Sequence, residues 1–347
     1  MSFNGSKIQT PKIIIKIKEL TVIKLFEVDN MNEKITEIVN KIMDDSSDTI
    51  PIDLLRDLTD CLSESEVYVP VDGEEIMLAR LSMGTGIPIL CDLDCFDNFF
   101  KNQTTQLFKF TQLEDFITSD MVGFIIYTGS RVFVLKNYLA GLAFNKNRTK
   151  GKVTKGYDVK VRLNDFRPLT WRDLIIPDNI TFMELDDILK TLWGFNGHHL
   201  SCFLLRKTRQ TIIDDDLASE SMMGMDYNAN DTIISEIFDK YDKITYWYDF
   251  GDDWQFDIEI KKKIDYDKDY VTIKRFKGKY DPIEDCKGVY GLSEIVYCAE
   301  NPDEADFSDF SDYVEYLEEF DMEFTQLVLE RKVYVKSNWH RDVYFRG

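Results

Sequence analysis

Two alternating apolar runs joined by a short acidic turn constrain the fold more than any other feature of this chain. Residues 244–250 and 254–260 alternate large apolar with polar side chains, and Gly251, Asp252 and Asp253 lie between them. Alternation with a period of two is typical of half-buried strands, and a short Gly/Asp turn joins antiparallel neighbours. This segment therefore predicts a β-hairpin with one face in a core.

Strand-like and helix-like patterns alternate along the rest of the chain. Residues 32–43 and 51–63 place apolar side chains at helical spacing, and Thr181 with Glu184 forms a capping box before a third apolar stripe. The polar residues 208–231 predict a mobile loop. These patterns predict an α+β fold with mainly antiparallel sheets. The other predicted strands are residues 12–28, 67–71, 87–90, 122–127, 131–135, 157–163, 171–177 and 199–205.

The length and one basic segment predict two domains. A chain of 347 residues has room for about two domains of ordinary size. Residues 145–155 read NKNRTKGKVTK, with five basic residues and no acid, which is typical of a solvated linker. We therefore predict an α+β domain at residues 1–144, with an extra N-terminal strand and helix, and a second α+β domain at residues 156–347.

The end of the second domain is strongly acidic. Residues 303–323 contain ten acids and no Lys or Arg. Apolar side chains recur every three or four residues through the same stretch, which is the spacing of one helix face. We predict an acidic amphipathic C-terminal helix whose charged face is solvated.

Charge restricts the kinds of partner. The chain has 63 acidic and 42 basic residues, a net charge of −21. This balance disfavours non-specific binding to nucleic acid or to an anionic membrane, although a local basic patch can coexist with an acidic whole. We expect an unidentified protein or small molecule as the partner.

The sequence predicts a cytoplasmic protein. It has no apolar run of the ~18–20 residues that a transmembrane helix needs, and its start lacks the apolar core of a secretory signal. The six cysteines are scattered and form no CxxC pair. Such spacing is typical of reduced thiols rather than of a disulfide framework.

Sequence motifs for common cofactors are missing. There is no GKS/T loop, HExxH or GxSxG. Asp226 begins a segment like a calcium loop, but Asp231 stands where that loop requires glycine. We therefore predict no cofactor, except a divalent metal if the chain is an enzyme.

Polar residues gather around the predicted hairpin. Carboxylates with a histidine can bind a divalent metal or relay a proton. The structural alternative is that a turn Asp bonds its own backbone and that a His near a turn caps or packs. The candidate catalytic residues are His199, Asp249, Asp252, Glu284 and Asp285. His199, Asp249 and Asp252 are also the candidate metal ligands.

Together these stretches resemble the plasmid pRiA4b ORF-3-like family over about residues 155–304. The YDFGDDW hairpin at residues 248–254 is the most specific part. The resemblance implies an α+β domain with no established activity; some members of the family are insertion-element passenger proteins. The other residues that carry it are YDVKVRL at 157–163, Arg167-Pro168, Trp171-Arg172, Ile176-Pro177, Thr181-Phe182, Leu185, Gly194-Phe195, His199-Leu200, Phe203, Pro282, Glu284-Asp285, Gly288, Tyr290-Gly291 and Asn301-Pro302.

The chain departs from this family at positions that carry possible ligands. The family pattern has histidines where this chain has Asp186, Ser201 and Phe256, and a cysteine where it has Asp281. The resemblance thus implies that a histidine-based site, if the family has one, survives here only as His199 and the acids.

The N-terminal half resembles the SseB N-terminal domain family over about residues 50–142. The carrying residues include YVPV at 68–71, IPIL at 87–90, Phe110-Thr111 with Glu114, and GFIIY at 123–127. This resemblance implies a second α+β domain and no proven chemistry.

Three functions remain open from the sequence. The first is a non-enzymatic interaction or regulatory module with a cleft beside the hairpin. The second is a metal-dependent hydrolase of nucleotides or nucleic acid, and the third is a mobile-element protein that acts on DNA. The candidate partner- or ligand-binding residues are Trp171, Arg172, His199, Tyr248, Asp249 and Trp254.

Geometry separates the first two functions. A carboxyl oxygen of Asp249 or Asp252 and one of Glu284 or Asp285 within about 5 Å of His199 would favour the enzyme.

Overall fold

The chain divides into two compact units between Arg148 and Thr149. The computed structural model describes residues 28–46, 49–73, 75–91, 104–129, 131–146, 153–214, 224–305 and 309–334. The predicted strand at 12–28 lies outside the described residues, apart from Val28.

Three helices and seven strands make up the described part of the first unit. The helices are α1 (Val28–Asp44), α2 (Ile52–Glu64) and α3 (Asn137–Phe144). The strands are β1 (Glu66–Asp72), β2 (Glu75–Ile76), β3 (Ala79–Leu81), β4 (Gly84–Leu90), β5 (Thr104–Lys109), β6 (Met121–Thr128) and β7 (Arg131–Lys136). Their order is β2-β1-β4-β6-β7, with β3 on β4 and β5 on β1. β4 and β6 run parallel, and the other pairs are antiparallel.

The apolar patterns of the first unit account for these elements. The predicted helices at 32–43 and 51–63 and the four predicted strands from residue 67 onward are confirmed. In α1 the residues Ile35, Ile38 and Val39 are buried, because the 3.6-residue period places them on one face.

The second unit is built on an eight-stranded sheet. The strands are β8 (Lys155–Leu163), β9 (Trp171–Pro177), β10 (Ser201–Leu205), β11 (Gln210–Ile213), β12 (Tyr227–Asn228), β13 (Lys243–Tyr248), β14 (Trp254–Asp265) and β15 (Thr272–Lys277). Their order is β12-β11-β10-β13-β14-β8-β9-β15, and β11 with β12 is the parallel pair. The predicted hairpin is confirmed as β13 and β14, with Tyr246 opposite Phe256 and Tyr248 opposite Trp254.

The helices of the second unit share one core with the sheet. They are α4 (Phe182–Trp193), α5 (Ser235–Phe238), α6 (Gly288–Glu300), α7 (Pro302–Ala305) and α8 (Met322–Glu330). The predicted capping box is confirmed at the start of α4, where the Thr181 hydroxyl accepts from the Glu184 N–H and the Glu184 carboxylate accepts from the Thr181 N–H. Leu189, Leu292 and Leu329 from three helices pack in one cluster with strand residues such as Val159 and Phe256.

The two faces of this sheet differ in chemistry. Side chains of the core cluster alternate with charged ones along β8, β9 and β14, because successive strand residues point to opposite faces. We call the charged side, which carries Lys160, Arg162, Trp171, Asp173 and Asp257 on its central strands, the outer face. The buried acids of this face are paired with basic side chains.

Asp173 is the best-connected of these acids. It is fully buried, and it accepts from Lys261 at 2.7 Å and from Arg275 at 2.6 Å. Burial alone would raise the pKa of Asp173, but the hydrogen bonds from Lys261 and Arg275 hold this pKa below its ordinary value. The charged form is therefore the form that stabilises the fold.

We expect Asp173→Asn to lower the free energy of unfolding of the second unit by about 1–3 kcal/mol at pH 7, because two charged hydrogen bonds are weakened. A carboxyl with a depressed pKa in the folded state stabilises above its unfolded pKa and loses that effect as the pH falls through the folded pKa. The difference between wild type and variant should therefore shrink below about pH 4.

Tryptophan fluorescence in urea is the measurement, because all five tryptophans follow residue 170 and report the second unit. Asp242→Asn is the matched control, since Asp242 pairs with Lys207 at the surface. An equal loss in both variants, or a difference that does not begin to shrink as the pH falls below about 4, would contradict this role of Asp173.

Two predicted segments are wrong in detail. Residues 208–231 contain β11 and β12, because Ile212 and Ile213 are buried when β11 extends the sheet from β10. Residues 215–223 of this stretch lie outside the described residues.

The acidic C-terminal stretch is not one helix. It contains α7, a 3-10 turn at Ser311–Tyr316 and α8. Between the last two, Glu319 bridges to Tyr280, and the Phe320 N–H donates to the carbonyl of Lys279. These backbone bonds replace helical ones, and Asp321 then caps a new helix by accepting from the Phe324 N–H.

No described helix is long and apolar enough to cross a membrane. The five described cysteines, Cys61, Cys91, Cys202, Cys286 and Cys298, are buried and free of disulfides. Cys95 lies outside the described residues.

Candidate functional site

The turn of the hairpin holds a rigid carboxylate. Asp249 follows β13 with φ 51°, and one of its carboxylate oxygens accepts from the N–H groups of Gly251 at 3.0 Å and Asp252 at 3.2 Å. Asp249 is therefore a turn-forming residue of the kind that the structural alternative predicts. Its other oxygen, Oδ2, lies 3.5 Å from Nδ1 of His199.

His199 lies between two carboxylates. It precedes β10, and its Nε2 atom lies 3.5 Å from Oδ1 of Asp285. The imidazole packs edge-on against Tyr248, with 5.9 Å between ring centroids. Its side chain is 28% exposed, so one edge of the ring remains accessible to solvent.

A tight loop brings Asp285 to this place. Asp285, Lys287 and Gly288 all have positive φ, so the chain turns sharply before α6. A Cβ atom on Gly288 would lie 2.0 Å from the carbonyl oxygen of Asp252. Because Gly288 has no side chain, the loop can contact the hairpin turn, and this contact places Asp285 beside His199.

Glu284 has a supporting role beside His199, Asp249 and Asp285. One oxygen of its carboxylate accepts from the Asn196 N–H at 2.9 Å and from the Tyr248 hydroxyl. Burial, and then the bond to Glu284, raises the pKa of Tyr248 above its ordinary value. Glu284 thus ties the turn after α4 to the hairpin.

Asp252 lies close to the same group. Burial raises the pKa of Asp252, and the nearby charges of Asp249 and Asp285 act in the same direction. Its carboxyl group does not belong to the cluster that His199, Asp249 and Asp285 form.

The other sequence candidates lie elsewhere in the unit. Trp254 is fully buried in the core against Phe195, and Tyr248 stacks on the same ring. Arg172 is fully buried beside Asp281, and Trp171 lies on the outer face. The structure therefore brings together His199, Asp249 and Asp285, but not Trp171, Arg172 or Trp254.

The positions that depart from the family pattern form no second cluster of donors among the described residues. Asp186 is buried, accepts from the Tyr246 hydroxyl at 2.7 Å and pairs with Lys190 at 2.6 Å. Ser201 lies opposite Tyr248, and Phe256 packs in the core. These side chains make hydrogen bonds and apolar contacts in place of metal ligation.

Sequence reasoning missed Lys190 and Asn196. Lys190 follows Asp186 by four residues on one helix, a spacing that predicts an ion pair. Asn196 contributes only a backbone N–H, for which its residue type carries no signal.

The three donors can bind a divalent cation. Ligand atoms of His199, Asp249 and Asp285 all lie within 4.8 Å of one another. One imidazole nitrogen with two carboxylates suits Mn²⁺ or Zn²⁺, and three protein ligands leave positions for water or substrate. Both carboxylates lie 3.5 Å from His199, which meets the distance condition set above. A cation bound there would serve either an enzyme or a regulatory module.

Comparisons with known proteins find relatives of the second unit. The model of the plasmid pRiA4b ORF-3-like protein family matches residues 155–327, which extends the predicted range to α8. The uncharacterised protein y4hQ of Sinorhizobium fredii is 24% identical over 145 residues, 42% of this chain and 73% of that protein. A protein of unknown function from Methanosarcina mazei Go1 has a crystal structure similar over 50% of this chain and 97% of its own, with a TM-score of 0.41 and 23% identity. By the family match, residues 155–327 carry a plasmid pRiA4b ORF-3-like domain.

Proposed function

We propose that the second unit is a divalent-cation-binding module and that His199, Asp249 and Asp285 are its ligands. The observation that supports this proposal is the convergence of three donors from separate segments on one point. Asp249 is held by two backbone N–H groups and needs little further ordering to bind a cation. In this proposal the cation recruits an anionic ligand or partner to the hairpin.

We expect Mn²⁺ or Zn²⁺ to raise the melting temperature of the second unit. A cation at a hundredfold its Kd stabilises a protein by about 2.7 kcal/mol, which is about 5–10 °C for a unit of this size. Tryptophan fluorescence of the full chain, titrated with each metal alone, measures the shift. His199→Ala should remove most of it.

His198→Ala is the matched control, because His198 is the exposed neighbour of His199 in the chain. It should retain the shift of the wild type. If neither metal shifts the melting temperature, or if His199→Ala responds like His198→Ala, the proposed cation site is wrong.

Metal-assisted hydrolysis is the second candidate function, and the openness of the site favours it. The Asp285 side chain is 79% exposed, so one side of the cluster faces solvent. Catalytic metal sites keep such an open position, where a bound cation acts as a Lewis acid and generates a nucleophile from water. The Mn²⁺-loaded full chain should then hydrolyse bis(p-nitrophenyl) phosphate, and His199→Ala should not. Cation binding without turnover would leave the interaction or regulatory module as the function.

Three further predictions from the sequence are kept as proposals. We propose an SseB-like fold for residues 50–142, a cytoplasmic location, and an unidentified protein or small molecule as the partner. The location is supported by the five buried thiols without disulfides, which suit a reducing compartment. Affinity capture from native lysate tests the partner, and repeated recovery of the chain alone would count against it.

A further inference from the structure

We propose that the outer face of the second unit's sheet binds a single-stranded nucleic acid. Its Lys and Arg side chains would contact the phosphates, and a base would stack on the ring of Trp171. This surface is separate from the cation cluster at the hairpin turn. The proposal rests on the charge balance of the face, on the exposure of its basic side chains, and on its aromatic side chains.

The strand register collects basic residues in two rows across the sheet. One row runs Arg275, Asp173, Lys160, Glu259, Lys243 from β15 to β13, and has one more basic than acidic residue.

The next row runs Lys277, Trp171, Arg162, Asp257, Thr245, and also has one excess basic residue. Lys261 and Lys274 add two more cations around the single acid Asp158. The face is therefore basic on a chain whose net charge is −21.

Three of the four acids on this face are more buried than its basic side chains. Asp158, Asp173 and Asp257 are buried at the level of the strands. In contrast, the Arg275 side chain is 65% exposed and that of Lys243 is 44% exposed. A ligand that approaches the face meets ammonium and guanidinium groups first, so the potential that it experiences is positive.

The same pairing fixes where the cations stand. Asp257 pairs with Lys243 at 2.5 Å and with Arg162 at 2.9 Å, while Asp158 pairs with Lys274 at 2.7 Å. Each acid holds a long flexible side chain in one place, which lowers the entropy that binding a phosphate would otherwise cost. The buried acids thus organise the basic surface instead of cancelling it.

Aromatic rings lie among these cations. Nζ of Lys160 lies 4.0 Å from the ring centroid of Trp171, and the Arg275 guanidinium lies 5.5 Å from it. Toward the hairpin turn, Trp247 packs on Phe250 with 4.5 Å between centroids. Surfaces that bind single strands combine a basic track with aromatic rings on which bases stack.

These features favour a single strand over the other polyanions. A duplex keeps its bases stacked on one another and offers the face only phosphates. An acidic peptide likewise would use the cations but not the ring of Trp171. A single strand offers phosphates to the basic side chains and a base to the ring of Trp171, since every unpaired base has a free π-face.

The test is fluorescence anisotropy with the full chain and a fluorescein-labelled 12-mer of mixed sequence, as RNA and as DNA in separate arms. The balance of three excess basic residues predicts a slope of log K on log salt near −2.1, or roughly twentyfold weaker binding at 200 mM than at 50 mM salt. Tighter binding of the RNA arm would identify the 2′-hydroxyl as part of the ligand, and equal binding would identify any single strand.

Two variants and one matched control locate the binding. In Lys243→Gln with Arg275→Gln the slope should be smaller in magnitude by about 1.4 than in the wild type. The loss of binding between 50 and 200 mM salt should therefore be about sevenfold smaller than in the wild type. Trp171→Ala should weaken it about fivefold or more at every salt concentration, since stacking contributes about 1–3 kcal/mol per base. Lys41→Gln with Lys279→Gln removes the same charge from exposed ion pairs elsewhere and should bind like wild type.

Several results would overturn the proposal. It fails if the wild type binds neither strand at 50 mM salt, or if the control pair weakens binding as much as the outer-face pair. It also fails if Trp171→Ala binds normally, or if a poly-Glu peptide binds as tightly as the 12-mer; the latter result would assign the face to an acidic protein partner.

Discussion

Replacing Arg172 by methionine is expected to destabilise the second unit by about 3–5 kcal/mol, because a buried charge loses its partner. Arg172 is 0% exposed, and its Nη2 atom donates to Oδ1 of Asp281 at 3.2 Å. Its guanidinium also lies over Phe320 at 3.7 Å and Trp193 at 4.6 Å. Methionine fills much of the same volume but leaves Asp281 buried without this cation.

The loss of the cation beside Asp281, rather than the lost volume, should dominate this effect. Burial lowers the pKa of Arg172 to about 10 while Asp281 acts to raise it, so the guanidinium stays charged at neutral pH. Adding Asp281→Ala to Arg172→Met should therefore recover part of the loss, because the double variant contains neither of the two buried charges.

Urea unfolding followed by tryptophan fluorescence measures both variants. Lys279→Met is the matched control, since Lys279 pairs with Glu319 and both side chains are exposed, and exposed pairs contribute about 0–1 kcal/mol. A loss under 1 kcal/mol in Arg172→Met, or a double variant that is no more stable than Arg172→Met, would contradict this account.

Replacing Gly288 by alanine is expected to cost about 2–5 kcal/mol and to abolish cation binding. Gly288 has φ 66°, a conformation that alanine adopts at a cost of about 1–2 kcal/mol. The new Cβ would also lie 2.0 Å from the carbonyl oxygen of Asp252, so the loop and the hairpin turn must move apart, for about 1–3 kcal/mol more. That movement would separate Asp285 from His199.

Gly251→Ala is the control for Gly288→Ala. It lies in the same hairpin turn without a positive φ, and its Cβ would approach nothing nearer than 3.3 Å. Fluorescence melting with and without Mn²⁺ measures both properties. If Gly288→Ala retained the metal-induced shift, the contact between loop and turn would not be what assembles the site.

Local patterns predicted most of the second unit's framework. The alternation through residues 244–260 predicted the hairpin, and Thr181 with Glu184 predicted the start of α4. Both depend on residues close in sequence, whose period or spacing decides their backbone geometry. Longer segments were predicted less well, because β11 is stabilised by β10 and the break before α8 by a bridge to Tyr280.

The candidate site shows the same division. The sequence predicted His199, Asp249 and Asp252 as metal ligands, whereas the cluster contains Asp285, predicted as a catalytic residue, in place of Asp252. Two predicted partner-binding residues, Trp254 and Arg172, are buried in the core. Residue type alone does not distinguish a carboxylate that meets a histidine from one that meets only its own backbone. Asp249 does both, with one oxygen for each.

The sequence by itself determined the fold class, the hairpin and the set of polar residues from which a site could form. Those properties depend on local periodicity and turn chemistry, which neighbouring residues decide. The tertiary structure alone decided that His199, Asp249 and Asp285 meet. It also decided that a group of basic residues in this acidic chain shares the outer face of the second unit's sheet. Both depend on which distant segments pair, and strand register together with the close approach at Gly288 supplies that information.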